Sequence, residues 1–341
     1  MTARVSVRPS GHVFCVEGHD TLLQAGLRAG LKLHYGCGNG SCGLCKVRVV
    51  SGQVVRNQTC DYPLSQAEKA QGYTLLCAHT AASSELTLEL LEASGPQDMP
   101  QQQIGATVRA IKPMAANTLL LQLQTPRSQR LRFLAGQSVT LGLARSPGEE
   151  VQVHYPVASC PCNERNLHFF IARHSRDALA EALFAGTVQP GQSLTVRGPA
   201  GDFVLADSPR PLVFAACDLG IAPVKSLIEH ALAQEGAQAQ ALSLFWLTLR
   251  EDGHFLENQC RAWSHALENF EYELLRADDL AQGTAATARA MRADLFEVEC
   301  DFYLAGPPAF VDALQADLRA AGVPSAHIFS HTLDAPQGAL A

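Results

Sequence analysis

Three cysteines crowd one short glycine-rich stretch, Tyr35-Gly-Cys-Gly-Asn-Gly-Ser-Cys-Gly-Leu-Cys-Lys46, which places Cys37, Cys42 and Cys45 in a C-x4-C-x2-C spacing. A fourth, Cys77, follows in Thr74-Leu-Leu-Cys-Ala-His79. Thiolates at this spacing, with one more further along, are a common ligand pattern for a 2Fe-2S cluster. Few other features constrain a fold so tightly, because the backbone must wrap closely around the metal and aim its amides at the sulfides. Gly36, Gly38, Gly40 and Gly43 suit that wrapping. A structural zinc site is the rival reading and stays open here, although zinc usually takes two short C-x2-C pairs and the second half offers Cys77 alone. A disulfide framework does not suit a chain of 341 residues without a secretion signal. Cys15, Cys60, Cys160, Cys162, Cys217, Cys260 and Cys300 read as small buried hydrophobes. Cys160-Pro-Cys162 is closely spaced, but it lacks partners at metal spacing.

The length predicts two or three domains. With 47% hydrophobic and 17% charged residues, the composition is that of a soluble globular protein. A formal net charge of -7 and the lack of any basic run argue against nucleic acid or an anionic membrane surface as partner. An acidic balance suits docking on a basic redox protein. The longest apolar stretch, Ala241 to Leu249, is too short to span a bilayer, and the start of the chain has no signal-type apolar core. The expected compartment is the reducing cytoplasm.

Residues 1–92 read as the cluster domain. Arg4 to Arg8 and His12 to Val16 alternate as a hairpin, Asp20 to Gly26 starts a capped helix, and Cys45 to Val50 and Glu85 to Leu90 alternate again. Strand, strand, helix, ligand loop, strand is a β-grasp order. Residues 93–103 are polar and aperiodic, and read as a linker. Over 104–206 the segments Ala106 to Lys112, Thr118 to Gln124 and Ser138 to Leu143 predict a small β-barrel. Over 207–341 strand and helix alternate. Strands are expected at Leu212 to Cys217, Leu242 to Leu249, Phe270 to Leu275 and Asp301 to Leu304, with helices from Ala222, Glu257, Thr287 and Pro308. That alternation predicts a doubly wound parallel α/β sheet.

The Tyr-Gly-Cys, Cys-Gly and Cys-Lys-Val elements of the loop resemble the plant-type ferredoxins, and more closely the ferredoxin modules of bacterial oxygenase reductases. The order ferredoxin, barrel, nucleotide sheet resembles the reductase components of multicomponent oxygenases and the CDP-6-deoxyglucoseen reductases. Phe133-Leu-Ala-Gly-Gln137, Gln189-Pro-Gly-Gln192, Gly198-Pro-Ala-Gly-Asp-Phe-Val-Leu205, Gly220-Ile-Ala-Pro223 and Gly306-Pro-Pro308 are similar to that family's motifs. The resemblance implies a six-stranded-type flavin-binding barrel, FAD, and NADH or NADPH as hydride donor. It also implies single-electron transfer through the cluster to an oxygenase or similar redox partner. On it, Tyr155, Val157, Ser159, Gly198, Gly201 and Phe203 frame the flavin, with Val157 and Ser159 on the strand after Tyr155. Gly220, Ile221, Pro223 and Gly306 surround the nicotinamide.

Several positions depart from the family. Where it has Arg-x-Tyr-Ser, this chain has Val153 and Pro156 around Tyr155. Where it has Gly-x-x-Ser at a helix start under the flavin pyrophosphate, the chain reads Asp177-Ala-Leu-Ala180, and Asp218 stands among the glycines expected before Gly220. A carboxylate opposes a pyrophosphate at such places. Asp218 taken alone reads as a cap of the helix near Pro223. Arg173, Arg176, Arg197 and Lys225 could supply charge instead, though each singly reads as a solvated surface residue. Arg250 lies near the family's adenosine contact. His79, His168, His174 and His230 read as structural or surface residues, and Trp246 and Trp263 as core. Two functions therefore remain open: an NAD(P)H-dependent iron-sulfur flavoprotein reductase, or a ferredoxin-type carrier or assembly subunit on a degenerate reductase scaffold.

Overall fold

The computed structural model describes every residue except 1, 9–10, 32, 34, 36, 42, 44, 91–95, 97–98, 100, 127–130, 147–148, 163–164, 234–239, 295–298 and 334–341. The chain divides into two compact units, Met1–Met99 and Pro100–Ala341.

In the first unit, β1 (Thr2–Arg8) and β2 (Val13–Glu17) alternate buried and exposed side chains and pair antiparallel. Ala3, Val5, Val7, Phe14 and Val16 form one apolar face. Helix α1 (Leu22–Arg28) covers it with Leu22, Leu23 and Ala25. A capping box fixes its start: Gln24 N donates to Thr21 Oγ1 at 3.2 Å and Thr21 N to Gln24 Oε1 at 3.0 Å. Then come β3 (Lys46–Ser51), β4 (Val54–Arg56), α2 (Gln66–Ala70), β5 (Tyr73–Leu75), β6 (His79–Ala81) and β7 (Glu85–Glu89). The main sheet runs β2-β1-β7-β3-β5, with β1 and β7 parallel, which is the β-grasp arrangement expected from the element order.

The second unit opens with an antiparallel six-stranded sheet of order β11-β10-β13-β8-β9-β12. Its strands are β8 (Gln102–Ala115), β9 (Thr118–Gln124), β10 (Ser138–Ser146), β11 (Glu149–Pro156), β12 (Asn166–Ala172) and β13 (Ser193–Ala200). The first of these begins inside the segment expected to be linker. Past the end of β11, Ala158 N donates to His168 O at 2.8 Å, bringing the two outer strands together as a barrel requires. Helix α3 (Ala178–Phe184) plugs one side with Leu179, Ala180 and Leu183 in the barrel core.

The rest of the unit alternates. Strands β14 (Leu212–Cys217), β15 (Leu242–Thr248), β16 (Phe270–Arg276), β17 (Asp301–Gly306) and β18 (Ile328–Thr332) are all parallel, in the order β16-β15-β14-β17-β18. Helices α4 (Ile221–Ala233) and α5 (Glu257–Ala266) join the core containing Phe214, Leu244, Trp246 and Tyr303. Helices α6 (Leu280–Asp294) and α7 (Pro308–Ala320) join the core containing Val213, Phe245, Leu247 and Leu304. Neighbouring strand residues thus feed opposite cores, and the central strands are apolar on both faces. Helix α6 starts seven residues before the expected Thr287. Asp279 Oδ1 receives Gln282 N at 3.0 Å there, and Gly283 fits where a side chain would strike Leu247. No described helix is long and apolar enough to cross a membrane.

Candidate redox centre and crevice

The cluster loop lies between α1 and β3. Cys45 and Cys77 are buried, with their sulfurs 3.2 Å apart, while Cys37 is exposed and its sulfur receives Ser41 N at 3.3 Å. Cys42, the remaining expected ligand, lies outside the described residues. Gly43 stands at φ +77, and a Cβ there would lie 2.2 Å from the Tyr62 ring. Tyr62 N in turn donates to Gly40 O at 2.9 Å, so the loop is tied down by contacts only glycine allows. The Cys77 thiol is pushed up by its hydrogen bond to Cys45, by burial and by the Cys45 charge, while the Gly40 amide pulls it down. Two buried sulfurs held so close suit adjacent ligands better than free thiols. Among the described residues no three His, Cys, Asp or Glu side chains surround a single ion. A 2Fe-2S cluster asks instead for two thiolates on each of two irons, and the Cys45 and Cys77 pair fits half of that.

In the barrel, the Phe133 to Gln137 turn and the Gly198 to Leu205 turn hold each other. Gln137 Nε2 donates to Gly201 O at 3.0 Å and its Oε1 receives Leu134 N at 2.8 Å. Tyr155 is only 8% exposed and packs in the barrel core with Val157, Leu179 and Ala180. Its hydroxyl donates to Asp177 Oδ2. Burial first, then the Asp177 charge, pushes this phenol up, so it is a donor at any ordinary pH. Asp177 Oδ1 caps α3 by accepting Leu179 N at 3.0 Å and Ala180 N at 2.8 Å. This amide pair therefore fits an anion, and the chain supplies its own. A diphosphate placed at this turn would compete with Asp177. Val157 and Ser159 lie just beyond β11 rather than on it. Val157 N donates to Gln137 O at 3.0 Å, and Ser159 Oγ accepts His168 N at 3.2 Å.

Phe203 belongs to the neighbouring core, against Tyr303 and His331 with ring centroids 5.9 and 5.6 Å away. Burial pushes the His331 imidazole down to about 4, nearby His154 adds to the effect and Asp202 opposes it. The folded state thus holds His331 neutral, and its stabilisation is complete above the unfolded value of about 6.5 and lost as pH falls towards about 4. In urea titrations, His331→Gln is expected to remove about 1–2 kcal/mol of the stability lost between pH 7 and 5. Identical pH slopes for both proteins would refute this.

At the carboxyl ends of β14 and β17 the strand order reverses, which is where open α/β sheets bind ligands. Gly220, Ile221, Pro223 and Gly306 meet there, all buried. A Cβ on Gly220 would lie 2.1 Å from Ala305 O, so the chain's own packing demands this glycine whatever binds. Gly220→Ala is expected to cost roughly 2–4 kcal/mol in unfolding measurements made without nucleotide. A loss under about 0.5 kcal/mol would show that the strand end yields.

Asp218 does not cap the helix, contrary to expectation. It adopts φ +47 in a 3-10 turn before α4, and its carboxylate turns to the end of β15. There Oδ1 accepts Thr248 Oγ1 at 3.0 Å and Leu249 N at 3.3 Å, with Arg250 Nε 3.8 Å away. The Asp218 carbonyl accepts Trp246 Nε1 at 3.1 Å. Arg250 is further held by Thr118 Oγ1 at 3.2 Å. Lys225, expected at the surface, is buried on α4, its ammonium 2.6 Å from Glu229 Oε1 and 3.1 Å from Ala158 O. Arg197 pairs with Glu150 at 2.8 Å, and Arg173 lies over the Phe184 ring. The expected spare cations are thus engaged within the protein. Cys15 and Cys162 are exposed, not buried, and Cys160 and Cys162 are joined by a disulfide. Their C-x-C spacing was the sequence signal for that pair.

Residues 5–82 match the 2Fe-2S iron-sulfur cluster binding domain, and residues 105–205 match the oxidoreductase FAD-binding domain. The chain is 28% identical over 315 residues to the toluate 1,2-dioxygenase electron transfer component of Pseudomonas putida, covering 91% of each. It is 26% identical to the CDP-6-deoxy-L-threo-D-glycero-4-hexulose-3-dehydrase reductase of Yersinia pestis, over 97% of this chain and 98% of that one. Its fold is similar to that of an Amycolatopsis cytochrome P450 reductase, with a TM-score of 0.60 and 24% identity over 97% of this chain and 98% of the other.

Proposed function

We propose that this chain, which resembles the ferredoxin-containing reductase components of oxygenases along nearly its whole length, is an NAD(P)H-dependent iron-sulfur flavoprotein oxidoreductase. It passes electrons from NADH or NADPH through FAD and a 2Fe-2S cluster to a redox protein, an oxygenase or a similar acceptor, in a reducing cytoplasm. The observation that carries this is the union in one chain of the cluster match on 5–82 and the FAD match on 105–205, followed by a parallel sheet whose strand order reverses between β14 and β17. Bound flavin would turn a two-electron hydride into single electrons, and the cluster would carry them one at a time.

Cys37, Cys42, Cys45 and Cys77 hold the cluster in this reading, and Ser41 N steadies the Cys37 sulfur. Tyr155, Val157, Ser159, Gly198, Gly201 and Phe203 line the flavin side. Gly220, Ile221, Pro223 and Gly306 would face the nicotinamide, and neither Gly220 nor Gly306 has room for a Cβ. The test is the visible spectrum of anaerobically purified protein, with iron and flavin assays, before and after adding NADH or NADPH. Flavin and cluster bands bleached by one nucleotide are expected. Cluster bands alone, unchanged by either nucleotide after FAD is supplied, would overturn the reductase in favour of an electron carrier on a degenerate scaffold.

A further inference from the structure

We propose that Cys160 and Cys162 form a reversible dithiol/disulfide site, open to exchange with thiols in solution, at the joint between the barrel and helix α4. The two sulfurs are bonded to each other, yet their surroundings differ. Cys162 is exposed, whereas Cys160 is 3% exposed, so an incoming thiolate reaches Cys162. It bonds to Cys162 Sγ while the bond to Cys160 breaks, and Cys160 leaves as the thiolate. Cys162 N lies 3.1 Å from the Cys160 sulfur, and His230 Nδ1 lies 4.0 Å from it. Donors around a leaving thiolate lower its pKa and speed its departure. A second thiol of the reductant then attacks the mixed disulfide at the reductant's own sulfur and releases Cys162. The reductant becomes a disulfide, and two electrons and two protons pass to the protein. The reverse sequence, with an external disulfide as oxidant, closes the ring again.

Cys160 is also part of a buried polar joint. Its amide donates to Glu229 Oε2 at 3.2 Å, and Glu229 Oε1 binds the Lys225 ammonium that reaches Ala158 O. Ser226 Oγ donates to Ser159 O at 2.8 Å, and Gln259 Nε2 donates to Glu229 Oε1 at 3.2 Å. Lys225 and Ser226 are 5% and 0% exposed. Residues 158–160 are thus clamped onto α4 through a network in which the Cys160 amide is a member, and members of such networks strengthen one another. Opening the ring frees the Cys160-Pro161-Cys162 backbone and loosens that clamp. The thiol state of the surroundings is thereby felt by the segment just after Tyr155 and by the helix that begins at the sheet crevice. The chemistry needs neither flavin nor nucleotide, so it stands or falls apart from the proposed function.

The experiment equilibrates the whole protein, anaerobically, in reduced or oxidised glutathione, traps thiols by alkylation and reads peptides by mass. The peptide holding both cysteines is expected to shift from doubly alkylated to an unalkylated form two hydrogens lighter than the free dithiol, with a change in ratio of roughly tenfold or more that reverses on return. Cys162→Ser is expected to lose the response and to leave Cys160 alkylated about tenfold more slowly than Cys162 in the reduced parent protein. Amide exchange over 157–160 and 224–230 is expected to quicken several-fold on reduction. Full alkylation in both buffers, or a disulfide that persists in both, overturns the site. Unchanged amide exchange overturns its coupling to the joint.

Discussion

Cys77→Ala is expected to lower bound iron by more than about tenfold and to erase the visible cluster bands, while Cys60→Ser leaves both nearly intact. The two cysteines lie near the same loop but face different neighbours. Cys77 is buried with its sulfur against that of Cys45, and that contact together with burial holds the thiol up. Cys60 turns its thiol towards backbone carbonyls, 3.4 Å from Gly40 O and 3.8 Å from Tyr62 O, where a proton is wanted and a metal is not. Removing the Cys77 sulfur also leaves a small core void, worth about 1–2 kcal/mol, so far-ultraviolet circular dichroism should confirm that the variant folds. Cys77→Ser, which retains volume and loses the soft ligand, serves as the second variant. The assignment fails if Cys60→Ser loses the iron and Cys77→Ala keeps it.

Such contrasts show where the sequence was legible. Strand alternation and the apolar runs of β14 and β15 are local signals, and the structure reproduces the strands they announce. Trp246 and Trp263 read as core because they sat in apolar patterns, and both join one core. What escaped depended on partners far along the chain. Strand β18 is a short Ile-Phe-Ser-His-Thr run with weak alternation, and its pairing with β17 makes it a strand. Lys225 looked like a solvated charge, since nothing local announces that Ala158 O, 67 residues earlier, will receive it. Its i,i+4 partner Glu229 was the available hint. Asp218 looked like a helix cap, the usual role of an aspartate before a helix, but Thr248 and Leu249, some 30 residues on, hold its carboxylate more favourably. The start of α6 was missed because Gly283 weakens the local helix signal, while packing against Leu247 requires a residue without a side chain there.

Asp177→Ser is expected to move two properties of the barrel in opposite directions. In the parent protein one buried carboxylate satisfies three donors: the amides of Leu179 and Ala180 and the hydroxyl of Tyr155. Serine can still cap the helix, but it is too short to keep the phenol as well, and a buried hydroxyl without its acceptor costs about 1–3 kcal/mol. Stability in urea should fall by that amount. Flavin binding should gain, because the negative charge that competes for the amides is gone and Tyr155 is released from its partner. Removing one like charge near a diphosphate is worth about 1–3 kcal/mol, or roughly five- to a hundredfold in Kd. Titration of flavin-stripped protein with FAD, followed by fluorescence, reads the affinity without any turnover. Asp177→Asn separates the two effects, since it keeps a neutral acceptor for the phenol while losing the charge: affinity should rise with a smaller loss of stability. If both variants bind FAD more weakly in step with their lost stability, Asp177 is a supporting wall of the flavin site, and its carboxylate does not compete with the cofactor.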